Sequence, residues 1–142
     1  MHVVIAGCGR VGSGLARDLV TEGFDVAIVD ESPDAFYLLG DDFPGEFVVG
    51  RALDWDTLRR ARIEDAIAFV ACTDGDNTNI VIAQIAQKKY GIHCVVARVY
   101  DPLRAELFAQ IGIRTVCPTR DVRVSLFDAV RACQIPLPHQ EG

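Results

Sequence analysis

The chain has 142 residues, half of them hydrophobic, a formal net charge of −6 and five cysteines. That length suits one domain with a core of its own, without help from disulfides or a structural metal. The acidic balance excludes a nucleic-acid footprint, which needs a basic stripe to displace counterions from phosphates, and no apolar run approaches the roughly 20 residues of a membrane-spanning helix.

In chain order, the β-branched run His2–Ala6 predicts a first strand, and it leads straight into "GCGRVG". Residues 9–23 then place Val11, Leu15 and Leu19 on one helical face and stop at Gly23. Further strands are predicted at Asp25–Asp30, Glu46–Val49, Ala66–Ala71, His93–Ala97 and Arg114–Val116. Helical stretches are predicted near Pro33–Leu39, Asp54–Ala61, Asp76–Tyr90 and Pro102–Ile111. Because the strands are apolar throughout rather than alternating, they suit a sheet covered on both faces. Strict strand–helix alternation therefore predicts a doubly wound α/β Rossmann fold with a six-stranded parallel sheet. A final helix from Pro118 carries Val122, Leu126, Ala129 and Val130 at helical spacing, so residues 1–133 are expected to form one domain and 134–142 a tail.

The chain starts on a strand, with no leader before it, so a cytoplasmic protein without direct membrane insertion is expected. Cys8, Cys72, Cys94, Cys117 and Cys133 form no C-x-x-C pair and no zinc-like cluster with His2, His93 or His139. They read as reduced thiols, and no metal site is expected. Cys8 lies within the glycine loop, where it is either buried filler or a redox-sensing thiol.

Gly7, Gly9 and Gly12 have G-x-G-x-x-G spacing where the first strand should turn into the first helix. Gly7 then permits the turn, Gly9 lets a phosphate approach the backbone, and Gly12 allows close packing of helix on strand. The helix start near Arg10 offers amides and the positive end of its dipole to an anion, with Arg10 as an added charge. At the end of the second strand, Asp30 is placed to accept hydrogen bonds from ribose hydroxyls. Glu31 follows it with no adjacent Lys or Arg in the sequence, so NADP is disfavoured against NAD or simple adenine nucleotides. The loops "GRALD" (50–54), "CTDGDNTN" (72–79) and "ARVYDP" (97–102) follow later strands. Asp54 and Asp76 serve equally well there as helix caps, and Arg98 equally well as an ion-pair partner.

"GCGRVG", Asp30, "GRALD", "TDGDNTNI" and "ARVYDP" together resemble the TrkA N-terminal domain family, also called RCK N, of potassium-transport regulators, over roughly residues 2 to 131. The resemblance implies a cytosolic Rossmann domain that binds NAD(H) or AMP, ADP or ATP and passes occupancy to a potassium channel or transporter. It is a gating module with no catalytic residues. By position, the family's phosphate-holding residues fall on Gly7, Cys8, Gly9, Arg10, Val11 and Gly12, and the adenosine end on Asp30 and Glu31. Gly50, Arg51 and Ala52 lie beside the cleft, Thr73 and Asp74 near strand four, and Arg98 on the far side. Where the family commonly has G-D-A-T-D, this chain has Gly50-Arg51-Ala52-Leu53-Asp54, a reversal of charge beside the site.

Many members carry a further C-terminal domain, so the chain is expected to be either a stand-alone subunit or part of a longer protein. Family members form dimers and rings. The helix around Ile80, Val81, Ile82, Ala83, Ile85 and Ala86 is apolar over more than one stripe, which predicts burial against a partner subunit. Two alternatives remain. One is a small NAD-dependent oxidoreductase or its cofactor domain, although Lys88 and Lys89 are the only lysines and no Tyr-x-x-x-Lys pair exists. The other is an adaptor that has lost its ligand.

Overall fold

The computed structural model describes residues 1–136 and 138–140. The expected tail at 134–142 includes residues 137, 141 and 142, which lie outside the described residues. Six strands form one parallel sheet: β1 (His2–Ala6), β2 (Asp25–Asp30), β3 (Glu46–Val49), β4 (Ala66–Ala71), β5 (Cys94–Arg98) and β6 (Arg114–Val116), in the order β3-β2-β1-β4-β5-β6. Among the described residues, five α-helices accompany them: α1 (Arg10–Thr21), α2 (Trp55–Arg60), α3 (Asp76–Lys88), α4 (Pro102–Ala109) and α5 (Pro118–Ala132). This is the doubly wound Rossmann arrangement, in which strand order reverses beside β1.

Each strand splits its apolar residues between the two faces, because successive side chains point to opposite sides. Val3 and Ile5 of β1 pack with Val26 and Ile28 of β2 under α1, where Leu15, Ala16 and Leu19 cover them. Val4, Ala6, Phe69, Ala71, Val95 and Ala97 face the other way, beneath Leu58 of α2, Ile82, Ala83 and Ala86 of α3, and Ala105 of α4.

Three local features differ from the periodicity. Pro33–Leu39 forms a 3-10 stretch that buries Phe36 and Leu39, so the crossover from β2 to β3 carries about two tight turns of 3-10 helix in place of an α-helix. The fifth strand begins at Cys94, one residue later than expected, and ends at Arg98. Val11 is 56% exposed, since α1 packs through Gly12, Ser13 and Ala16 and keeps its first turn at the edge of the sheet.

The largest departure concerns α3, the helix expected to need a partner. In α3, Ile80, Ile82, Ala83 and Ala86 are buried and Ile85 is half-buried, all within this one chain; Val81 alone of the six stays exposed. The sheet beneath α3 absorbs the width that the sequence pattern assigned to a second subunit. By contrast, α5 buries no residue at all.

Candidate nucleotide site

The site forms where the carboxyl ends of β1, β2, β3 and β4 meet, and strand register brings its residues together. Ala6 pairs with Val29 and with Ala71, so Gly7, Asp30 and Cys72 leave the sheet side by side. The ladder continues one step beyond the strands: Gly7 N–H donates to Val29 O at 2.8 Å, Cys72 N–H to Ala6 O at 2.9 Å, and Gly50 N–H to Asp30 O at 2.9 Å. Asp30 pairs with Val49, which sets Gly50 and Arg51 beside Glu31.

The three glycines have different physical reasons. Gly7 has φ +108°, which favours glycine, and a Cβ there would lie 2.6 Å from Cys72 O. A Cβ on Gly12 would lie 1.9 Å from Gly7 O, so α1 can pack on the loop only without a side chain. Gly9 is unlike both: its backbone is extended, with φ −88°, and a Cβ would meet nothing within 4 Å. Nothing among the described residues requires glycine there. The open space in front of it is what a side chain would fill.

Gly9 is also the N-cap of α1, and no side chain caps that end or places an acid in its first turn. The leading amides and positive dipole end of α1 thus remain available to an anion. Asp30 fastens the loop from the side: Oδ2 accepts from Cys8 N–H at 2.8 Å and Oδ1 from Ser32 N–H at 2.9 Å. Each oxygen keeps a second lone pair for a hydroxyl.

Beneath the loop lie two thiols. Burial pushes Cys8 up to about 11, with the negative charge of Asp30 and the neighbouring Cys72 adding to the rise. Cys72 is also raised to about 11, chiefly by burial; Arg98 opposes the rise and Asp30 and Asp74 add to it. Both are therefore protonated at neutral pH, which favours the filler role for Cys8 over that of a reactive thiolate.

The cleft holds about 500 Å³ and is lined by Gly7, Cys8, Gly9, Asp30, Glu31, Gly50, Arg51, Ala52, Thr73 and Asp74 among the residues expected from the sequence. A family model described as the TrkA-N domain matches residues 3–119, the span that carries every one of these. The chain belongs to the TrkA-N domain family.

This TrkA-N chain is 50% identical over 120 residues to the Trk system potassium uptake protein TrkA of Streptomyces coelicolor, covering 84% of this chain and 54% of that protein. It is 34% identical over 121 residues to a TrkA homolog of Methanothermobacter thermautotrophicus, covering 84% of this chain and 56% of the other. The chain spans about half the length of these curated relatives. Among solved structures, the Kef CTD of Shewanella denitrificans in its AMP-bound form superposes with TM-score 0.80 at 29% identity, over 94% of this chain and 82% of that one.

Four residues singled out in the sequence do not line the cleft of the TrkA-N domain. Arg10 and Val11 are exposed in the first turn of α1, and Gly12 lies behind the loop. Arg98 is turned inward: its guanidinium donates to Cys72 O at 2.8 Å and Thr73 O at 3.0 Å, bracing the end of β4 from β5. Working with it is Asn79, fully buried at the start of α3. Its Oδ1 accepts from Thr73 N–H at 2.8 Å and from the Thr73 hydroxyl at 2.6 Å, and its Nδ2 donates to Thr73 O and Arg98 O. All the amide's main bonding capacity is spent on holding the loop that carries Thr73 and Asp74.

Cleft residues not singled out in the sequence are Val29, Ala35, Leu53, Cys72, Gly75 and Thr78. Cys72, Gly75 and Thr78 sit inside the loop 72–79, whose polarity after an apolar strand was the available signal. Ala35 arrives from the 3-10 stretch, and no local pattern marks it. Among the described residues, no group of His, Cys, Asp and Glu side chains is placed to hold a metal ion, and no helix is long and apolar enough to cross a membrane.

Proposed function

We propose that this TrkA-N domain binds an adenine nucleotide, either NAD(H) or one of AMP, ADP and ATP, and uses its occupancy to regulate a potassium channel or transporter. The observation that carries the reading is Gly9: an unobstructed glycine at the uncapped start of α1, opposite Asp30. Phosphates would lie against the amides of Gly9 and α1, the adenosine ribose on Asp30, and the base toward Ala52 and Leu53. The AMP-bound state of the Kef CTD and the potassium-uptake name of the TrkA relatives support the same reading. The domain acts without catalysis, on the cytoplasmic side, through a membrane partner, and residues 1–133 serve as its nucleotide-binding unit.

Regulation by occupancy requires two arrangements that bind the nucleotide with different affinity. A homo-oligomer, as a dimer or a ring of dimers, supplies them. What supports it is α5, whose Val122, Leu126, Phe127 and Val130 are 48–63% exposed at helical spacing. A matching surface exists on the α1 side of the sheet, where cover stops at β4: Val96 is half-buried and Cys94 and Val116 are exposed. The hydride-transfer alternative has no such support, because the relatives named above are potassium-uptake proteins and the cleft holds no Tyr–Lys or His acid–base pair. Reproducible oxidation or reduction of NAD(H) with any substrate would restore it.

The test is a thermal-shift titration with NAD, NADH, NADP, AMP, ADP and ATP. At a hundred times its Kd, the right nucleotide stabilises the fold by about 2.7 kcal/mol. Asp30→Ala starts lower, because the N–H groups of Cys8 and Ser32 lose their acceptor, and should gain little from ligand. No shift with any of the six overturns the proposal.

A further inference from the structure

The cleft lining carries three acids, Asp30, Glu31 and Asp74, and a single cation, Arg51. Arg51 stands two residues past the Val49 that pairs with Asp30, and its Nε lies 3.4 Å from Glu31 Oε1. Both side chains are largely in water, Arg51 62% and Glu31 71% exposed, so the pair is held by little besides itself. In the sequence Glu31 has no cation near it. In space it has one, reaching over from the next strand.

We propose that Glu31 and Arg51 form a latch that sets how the site treats a phosphate on the 2′ position of the adenosine ribose. The inference rests on the nucleotide reading above, since it needs the ribose on Asp30. The two charges cancel while they are paired, which leaves the carboxylate of Asp30 facing the ribose and a 2′-phosphate repelled. A guanidinium released from its carboxylate can bind a phosphate through its planar fork. Glu31 is what holds Arg51 in place, through its Nε. Removing Glu31 alone frees Arg51 for the ribose edge and converts a site selective for a free 2′-hydroxyl into one that accepts a 2′-phosphate. Removing Arg51 alone leaves Asp30 and Glu31 without a counter-charge, since Asp74 keeps Arg98 at 3.8 Å, and deepens the rejection.

Two probes differing only at that position separate the effects: 5′-AMP and adenosine 2′,5′-bisphosphate, titrated calorimetrically against the full chain. The native protein should prefer AMP by about tenfold, the effect of about one net charge a few ångströms away at intermediate dielectric. Glu31→Gln should bring the two affinities to within about threefold, and Arg51→Ala should widen the preference beyond tenfold. The double variant Glu31→Gln/Arg51→Ala should lose the gain seen in Glu31→Gln, which shows that the gain acts through Arg51. Equal changes for both probes in Arg51→Ala would assign the guanidinium to the base or the 5′-phosphate and overturn the latch, as would an unchanged ratio in Glu31→Gln. Failure of AMP itself to bind any form would instead sink the nucleotide reading on which the latch depends.

Discussion

Helices α3 and α5 look alike in the sequence, each with enough apolar residues to pack on something, yet the fold treats them in opposite ways. Ile80, Ile82, Ala83 and Ala86 of α3 disappear between β4, β5 and the neighbouring helices, while α5 leaves Leu126, Phe127 and Val130 open to water. The difference teaches that the width of an apolar stripe does not tell which partner will cover it. A helix that crosses over the centre of a sheet has its partner built in. One that leaves the last strand at the sheet's edge has none in its own chain, among the described residues. The α3 end of the molecule is also where structure and site meet, since Asn79 ties the cleft loop to β5.

The comparison breaks most sharply at Ile82. Ile82→Ala should cost about 2–5 kcal/mol in denaturant unfolding, through lost burial and a cavity in a site that cannot collapse. Leu126→Ala, at concentrations where the chain is monomeric, should stay within about 0.5 kcal/mol. A large loss at Leu126 under those conditions would show that α5 is packed within its own chain.

Asn79→Ala removes the acceptor of the Thr73 N–H and both donors that hold Thr73 O and Arg98 O. An expected loss of about 2–3 kcal/mol follows from buried polar groups left unpaired, with weaker nucleotide binding beside it. Equal stability with intact binding would mean that the loop needs no brace.

Thiols sharpen the contrast by pH. Burial raises Cys8 and Cys72 from about 9 to about 11, so the folded state holds their protons more tightly than the unfolded state does. Their contribution is fully present below pH 9 and is lost as pH rises through 11, at a cost on the order of 2 kcal/mol per thiol. Unfolding melts between pH 8 and 11 should show this slope, and Cys8→Ala/Cys72→Ala should flatten it. Cys133, exposed at the end of α5, should react with a thiol reagent in the native state, whereas Cys8 and Cys72 should react only after unfolding.

The smallest effect concerns association. Leu126→Asp should leave the monomer's melting midpoint nearly unchanged and abolish any concentration-dependent dimer seen by light scattering. A dimer that persists in Leu126→Asp would place the interface elsewhere.

Much of the fold was legible because β1 to β5 each carry an apolar, largely β-branched run bounded by turns, and because the glycine spacing sits where β1 ends. What local patterns could not show depends on neighbours distant in sequence. Arg51 approaches Glu31 only because β3 lies beside β2 in the sheet, and Arg98 turns inward only because the carbonyls of Cys72 and Thr73 wait beside it. Asn79 reads as an ordinary polar position in "DNTNI", yet it is fully buried and fully bonded. The stretch at Pro33–Leu39 has helix-like composition, yet it forms a 3-10 helix that buries Phe36 and Leu39. Of the three glycines, Gly7 and Gly12 are explained by the chain's own packing; Gly9 alone points outward to a ligand.

That makes Gly9 the place for the most direct measurement: the melting midpoint of Gly9→Asp with and without nucleotide. Its backbone is extended and its Cβ meets open space, so an aspartate can cap the bare amides of α1 and should hold or raise the unliganded midpoint. The same carboxylate occupies the phosphate cradle with negative charge, so stabilisation by AMP, ADP, ATP or NAD should vanish. A variant that folds as well as the native chain and still gains stability from the nucleotide would contradict the claim that the start of α1 holds the phosphates.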